Sequence, residues 1–235
     1  MNSEDLNACA RIVEKSDPDR FLAVMAATIP ERAVLFPLFA FNAEVARAPW
    51  MAQEPLIAEM RLQWWRDELD KIAQGQGLRR HEVMTPLSAT LDTEGAELLD
   101  AVIEARRWDI QAEPFRDEEA FQAHIEATSG NLLWAGARAL GADSEAVVRD
   151  LAYASGLASW FRAIPELEAR GRIPLADGRP EAVRDLARDG LRRLAQARAK
   201  RQSAKAAVSI LRTGWQAGAI LRQVEAEPGR VAAGA

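Results

Sequence analysis

The chain has 235 residues, 49% hydrophobic and 28% charged, with a formal net charge of −5. That balance excludes disorder and allows a large core, and the acidic excess argues against general nucleic-acid binding. The single cysteine, Cys9, excludes an internal disulfide and a cysteine zinc site.

Helix formers dominate, strand signals are nearly absent, and apolar residues recur at helical spacing, as at Leu98, Leu99, Val102, Ile103 and Ile110. A short helix is predicted over Asp5–Lys15. Ser16-Asp17-Pro18 then supplies a cap and an early proline for a second. Pro30 opens Glu31–Arg47, with a kink expected at Pro37. Glu54–Gln74 ends at Gly75-Gln76-Gly77. Further helices are predicted over Met84–Leu91, Thr93–Gln111, Asp117–Leu140 and Ser144–Phe161, the last disturbed at Pro165. A loop over Gly171–Pro180 precedes two last helices, Glu181–Lys200 and Gln202–Val224. The domain reading is an N-terminal extension over 1–16, one helical domain over 17–225 and a flexible tail over 226–235.

The longest apolar run, Ala33–Phe41, is nine residues, against ~18–20 needed to cross a bilayer. Met1–Arg20 has no apolar signal core, so the expected location is the cytoplasm. Residues 184–212 carry nine Lys/Arg against two Asp. Such a run is either a solvated helix face or a basic surface for anionic lipid or an acidic partner. With apolar bulk at Trp215, the membrane-contact candidates are Arg192, Arg193, Arg198 and Arg201. That expectation is peripheral contact at the inner face of a membrane.

Four segments are too particular for helical filler: Phe39-Ala40-Phe41-Asn42-Ala43-Glu44, Arg61-Leu62-Gln63-Trp64-Trp65-Arg66-Asp67-Glu68-Leu69, Ile103-Glu104-Ala105-Arg106-Arg107-Trp108-Asp109, and Trp160-Phe161-Arg162-Ala163-Ile164-Pro165 leading to Arg170-Gly171-Arg172-Ile173-Pro174-Leu175. Their order and spacing resemble the squalene/phytoene synthase superfamily over about Asp17 to Leu175. The resemblance implies an all-α, single-domain, isoprenoid-synthase-like bundle around a central cavity. It also implies a prenyltransferase reaction, the head-to-head joining of two prenyl diphosphates in isoprenoid and carotenoid biosynthesis. Active members hold the diphosphates through Mg²⁺ on two Asp-x-x-x-Asp clusters, whose i,i+4 carboxylates share a helix face.

Aligned on those segments, the four aspartate positions hold Ala46, Trp50, Ala163 and Leu167. Mg²⁺ is therefore expected only if the chain is nonetheless a prenyltransferase with an altered diphosphate site. The strings Ala-Phe-Asn-x-Glu, Arg-x-Gln-Trp-Trp and Arg-Ala-x-Pro resemble a branch that assists assembly of mitochondrial respiratory complex I, with its alphaproteobacterial relatives. That branch implies a non-catalytic chain with a membrane-complex assembly partner, and an isoprenoid or lipid ligand in the old cavity.

The cavity candidates are Asn42, Glu44, Arg61, Trp65, Arg162 and Glu166. Glu44 and Arg61 form either a structural ion pair or a polar constellation at the cavity mouth. Arg162 either meets an anion or caps its helix. Trp64, Trp65 and Trp108 are either core or pocket lining. His81 and His124 lack partners in sequence and read as structural or surface, and Cys9 has no base beside it.

Overall fold

The computed structural model describes residues 3–52, 54–111 and 113–235, apart from the side chains of Arg201 and Ser203. All regular structure in these residues is helical. Asp17 accepts a hydrogen bond from the Arg20 amide at 2.9 Å and separates α1 (Ser3–Ser16) from α2 (Pro18–Met25). Residues 1–16 are not a bare extension: α1 packs on the next long helix, and Cys9 and Val13 enter the core. That helix, α3 (Ile29–Arg47), runs unbroken through a buried Pro37. Glu31 accepts from the Thr28 amide at 2.7 Å and from the Ser209 hydroxyl at 2.6 Å, tying the start of α3 to the far end of the chain.

A 3₁₀ turn over Ala48–Met51 leads to α4 (Pro55–Ala73), which stops where Gly75 takes φ +67°. The next elements are α5 (Met84–Ser88), α6 (Thr93–Ala105), α7 (Trp108–Gln111) and α8 (Glu118–Ile125). Asp92 and Asp117 cap α6 and α8 through the Gly95 and Ala120 amides. A π turn over Glu126–Gly130 joins α8 to α9 (Asn131–Ala139). Then come α10 (Glu145–Ala169), α11 (Pro180–Ala199), α12 (Val208–Leu211) and α13 (Ala217–Ala226). The tail, expected to be loose, forms a 3₁₀ turn over Pro228–Ala233 with Pro228 and Val231 buried against α10, α11 and α13.

Three segments expected as single helices are broken. The Thr93–Gln111 run divides at Arg106–Arg107, which aims Arg106 and Asp109 inward. The Asp117–Leu140 run contains the π turn, where the Thr128 hydroxyl donates to the His124 carbonyl at 2.7 Å. The last predicted helix is interrupted over 201–216, where Gly214 lies against α10, a Cβ there reaching Leu151 at 3.0 Å. In contrast, α10 continues past Pro165 to Ala169: the proline removes only one ladder donor, and Ile164 and Leu167 on either side of it are buried. Ala152, Tyr153, Ala154, Leu157, Ala158 and Phe161 are all buried, and only the stripe through Ser155 and Ser159 leaves the middle of the helix uncovered.

His124 is buried among aromatic rings, 5.1 Å from Trp160 and 5.3 Å from Phe115 between centroids. Burial, helped by the nearby Arg106 charge, pushes its pKa down to about 3. Between that value and the ordinary 6.5, the unfolded chain takes up a proton that the folded chain refuses. His124 therefore contributes full stability above about pH 6.5, lost progressively as pH falls toward 3, by a few kcal/mol at ~1.4 kcal/mol per unit. Urea unfolding at pH 7 and pH 4 checks this: the drop in midpoint should be smaller for His124→Phe than for the parent.

Candidate functional site

α3 and α10 diverge around a cavity of about 450 Å³, open to solvent on one side and lined further by α1, α2, the Arg106–Asp109 bend and the π turn. Ala46 and Trp50 line it from the α3 side, Ala163 and Leu167 from α10, and Asn42 and Glu166 line it too. The helix spacing that would place two carboxylates on one face here places an alanine and a larger apolar side chain.

The remaining candidates lie elsewhere. Glu44, Arg61 and Trp65 line a separate shallow groove with His81. Glu44 pairs with Arg47 at 2.7 Å, so the expected Glu44–Arg61 pair gives way to a partner one turn along the same helix. Trp65 is buried, its ring edge-on to Phe41 at 5.6 Å, whereas Trp64 is 40% exposed and packs on Trp65 and His81. Arg162 faces away from the cavity, bonding Gln216 at 3.2 Å and Asp19 at 3.5 Å.

The basic run is partly structural. Arg193 bonds Glu126 at 2.5 Å and Asp189 at 3.1 Å, and its guanidinium lies 3.7 Å over the Tyr153 ring. It is a fold residue and not a free lipid contact. Arg192 pairs with Asp189, Arg198 is exposed, and the Arg201 side chain lies outside the described residues.

What charges the cavity was not singled out in the sequence. Arg20 sits beneath α2, its guanidinium 4.8 Å over the Phe39 ring and 3.4 Å from Asp17. Burial pulls the Arg20 pKa down; Asp17 opposes this and Arg106 adds to it. Arg106 stands 3.6 Å from Asp109, which is 3% exposed. Burial raises the Asp109 pKa against the pull of Arg106. The Nε atoms of Arg20 and Arg106 and Oδ2 of Asp109 are buried without a hydrogen bond. Trp50 lies under two cations, Arg170 at 4.5 Å and Arg172 at 5.1 Å. Arg172 also bonds the Asp109 carbonyl at 2.5 Å, and the Trp160 indole bonds the Pro174 carbonyl at 2.8 Å, so the loop after α10 is latched to the cavity wall. Arg106, Asp109, Arg170 and Arg172 stood in the motif strings; Arg20 showed only helical spacing.

These residues do not fit Mg²⁺. The carboxylates of the lining are Asp17, Asp109 and Glu166, and each faces an arginine, Glu166 bonding Arg170 at 2.5 Å. Among the described residues, no three His, Cys, Asp or Glu side chains converge as metal ligands do. Carboxylates already engaged by arginines leave no free anionic ligand for a dication.

A Drosophila melanogaster protein described as an NADH dehydrogenase (ubiquinone) complex I, assembly factor 6 homolog is 32% identical over 177 residues, 71% of this chain and 52% of that protein. The Bos taurus assembly factor 6 is 22% identical over 180 residues, 70% of this chain and 51% of that protein. The chain thus spans about half the length of the curated relatives it matches. A dehydrosqualene synthase crystal structure superposes with a TM-score of 0.74 at 13% identity, covering 94% of this chain and 87% of that one. The squalene synthase HpnC from Alicyclobacillus acidocaldarius gives 0.73 at 16%, covering 95% and 94%. These two likenesses establish the helical fold. The squalene/phytoene synthase family model matches residues 13–235, from the end of α1 through the cavity to the last residue, and the chain belongs to that family.

Proposed function

We propose that this chain assists assembly of a respiratory complex I and does not catalyse prenyl transfer. The observation that carries the reading is the lining of the cavity. Ala46, Trp50, Ala163 and Leu167, which the motif resemblance sets against the family's aspartates, line it and offer no carboxylate to a cation, and arginines line it beside them. The names of the fly and bovine relatives support the assembly role.

Two measurements test it. Incubation with farnesyl or geranylgeranyl diphosphate and Mg²⁺ should yield no head-to-head product above blank by mass spectrometry; turnover would install the prenyltransferase reading. In fly cells depleted of the assembly factor 6 homolog, this chain carrying a mitochondrial leader should restore complex I on native gels. Failure to do so, where the fly protein succeeds, counts against the assembly role.

A peripheral membrane contact accompanies this reading. No helix among the described residues is long and apolar enough to cross a membrane. The surface that favours lipid is formed by α2, the start of α3 and the 212–215 segment. Leu22 is 63% exposed, Ile29 76% and Trp215 57%. Arg32 and Arg212 flank them, bonded to the carbonyls of Met25 at 2.6 Å and Ala26 at 3.1 Å, with Glu31 near Arg212. Each such charge contributes about 1 kcal/mol near anionic lipid, and buried apolar side chains add to that. Flotation on phosphatidylglycerol vesicles at low salt should be strong, and weak on phosphatidylcholine. Leu22→Ser, Ile29→Ser and Trp215→Ser together should abolish it, whereas Arg192→Gln with Arg198→Gln should change it little. The reverse ranking returns the contact to α11.

A further inference from the structure

We propose that the solvent-facing side of α4, with the groove between α4 and α6, seats an amphipathic helix of a partner protein. The partner's apolar stripe rests on Leu56, Met60 and Trp64, and its basic edge lies over the groove. This goes beyond the assembly role and is tested without it.

Helical phase makes the apolar part of the surface. Leu56, Met60 and Trp64 recur four apart and form one ridge on the exposed side of α4. Leu56 is 70% exposed and Met60 64%. Exposed Met51 lines the same shallow groove as Trp64, so the apolar surface continues from the 3₁₀ turn onto the helix. Single exposed apolar side chains are ordinary, but a run of them over successive turns marks a contact surface.

Charge selects the occupant. Gln63, Asp67 and Asp70 follow the ridge on one flank, and with Glu97 and Asp100 of α6 they line a groove of about 480 Å³. The cation in this lining is Arg66, held by Asp100 and Glu104 at 2.7 Å each. Asp67 and Asp70 bond only to the side-chain amides of Gln63 and Gln74, at 2.7 Å each. Among the described residues, neither they nor Glu97 pairs with a cation, so these acids keep their charge for a partner. On the opposite flank Arg61 is exposed and, among the described residues, has no acid beside it. The surface therefore orients its guest: lysines or arginines along the edge over the groove, and an acid only where the guest passes Arg61. The same acids repel anionic lipid, which separates this surface from the one around Leu22 and Trp215. A second copy presenting the same face would bring acids, not the cations that the groove lacks.

Length sets the size of the guest. Leu56 to Asp70 spans roughly 21 Å at about 1.5 Å per residue, close to four turns. A ridge of that length beside a groove suits one packed helix of about 15 residues.

The probe is a fluorescein-labelled, capped peptide of about 15 residues, with leucine at i, i+3, i+4 and i+7 spacing and lysine elsewhere. One comparator carries glutamate in place of every lysine, the other serine in place of every leucine. Read by anisotropy at about 0.15 M salt, the full chain should bind the leucine–lysine peptide saturably at micromolar concentration and each comparator at least about tenfold more weakly. Leu56→Ser with Met60→Ser, both outside the core, should keep the melting temperature and weaken binding about tenfold. Asp67→Asn and Asp70→Asn with Glu97→Gln should do the same and flatten the salt dependence. Leu22→Ser with Ile29→Ser should leave peptide binding unchanged. Sedimentation should show a monomer at these concentrations, and vesicle flotation of the Leu56→Ser, Met60→Ser variant should match the parent's. No saturable binding, equal binding of the glutamate or serine peptide, or undiminished binding by the folded Leu56→Ser, Met60→Ser variant overturns the proposal. So does a dimer that this variant dissociates, which makes a second copy the occupant, or a loss of flotation, which makes it lipid.

Discussion

The middle of α10 is buried on every side but the stripe of Ser155 and Ser159, and covering so much of one helix requires close approach. Glycine sets the spacing at three contacts. A Cβ on Gly156 would fall 2.4 Å from the Ser129 hydroxyl, one on Gly190 of α11 3.0 Å from Leu157, and one on Gly214 3.0 Å from Leu151. Elsewhere a Cβ on Gly136 of α9 would fall 2.4 Å from both Leu38 and Ile210, locking α9 between α3 and α12. Where these contacts end, α3 and α10 carry small residues, Ala43, Ala46 and Ala163, and no side chain fills the gap. The cavity is what remains between two helices whose separation is fixed by packing on their other faces.

Charge inside that gap follows from the same constraint. A buried guanidinium is costly unless partners compensate its lost hydration. Here compensation is spread: Asp17 and the Phe39 ring for Arg20, Asp109 for Arg106, and the Trp50 ring for Arg170 and Arg172. Trp50 has a role of its own as the surface on which the loop after α10 rests. A carboxylate placed at position 50 would meet two arginines before it met a metal.

Helix type and order were legible because apolar period and proline or glycine punctuation agree along most of the chain. The breaks at Arg106–Arg107 and at Glu126–Gly130 were not, since Ala-Arg-Arg-Trp carries no breaker, the lone Gly130 is tolerated inside a helix, and the choice is made by tertiary packing. Ala46, Trp50, Ala163 and Leu167 were found through motif resemblance and share one cavity. Arg20 was invisible because a lone arginine at helical spacing looks like a solvated face. Arg193 misled for the opposite reason: its partners, Tyr153 and Glu126, lie 40 and 67 residues away and mark it as interior only in three dimensions.

The π turn separates two properties that usually change together. It spends five residues, Glu126–Gly130, where an α-helix would close with one fewer, and the surplus presents Thr128 and Ser129 to the cavity. Loss of one residue from that turn would close a plain helix and leave the rotational phase of α9, and so the seat of Gly136, intact. The outline of the cavity is thus adjustable by a single-codon deletion that keeps the phase of α9 and asks only that the seats of Ser129 on Gly156 and Glu126 on Arg193 be rebuilt, and relatives shorter at this point would share a scaffold while differing in what it encloses.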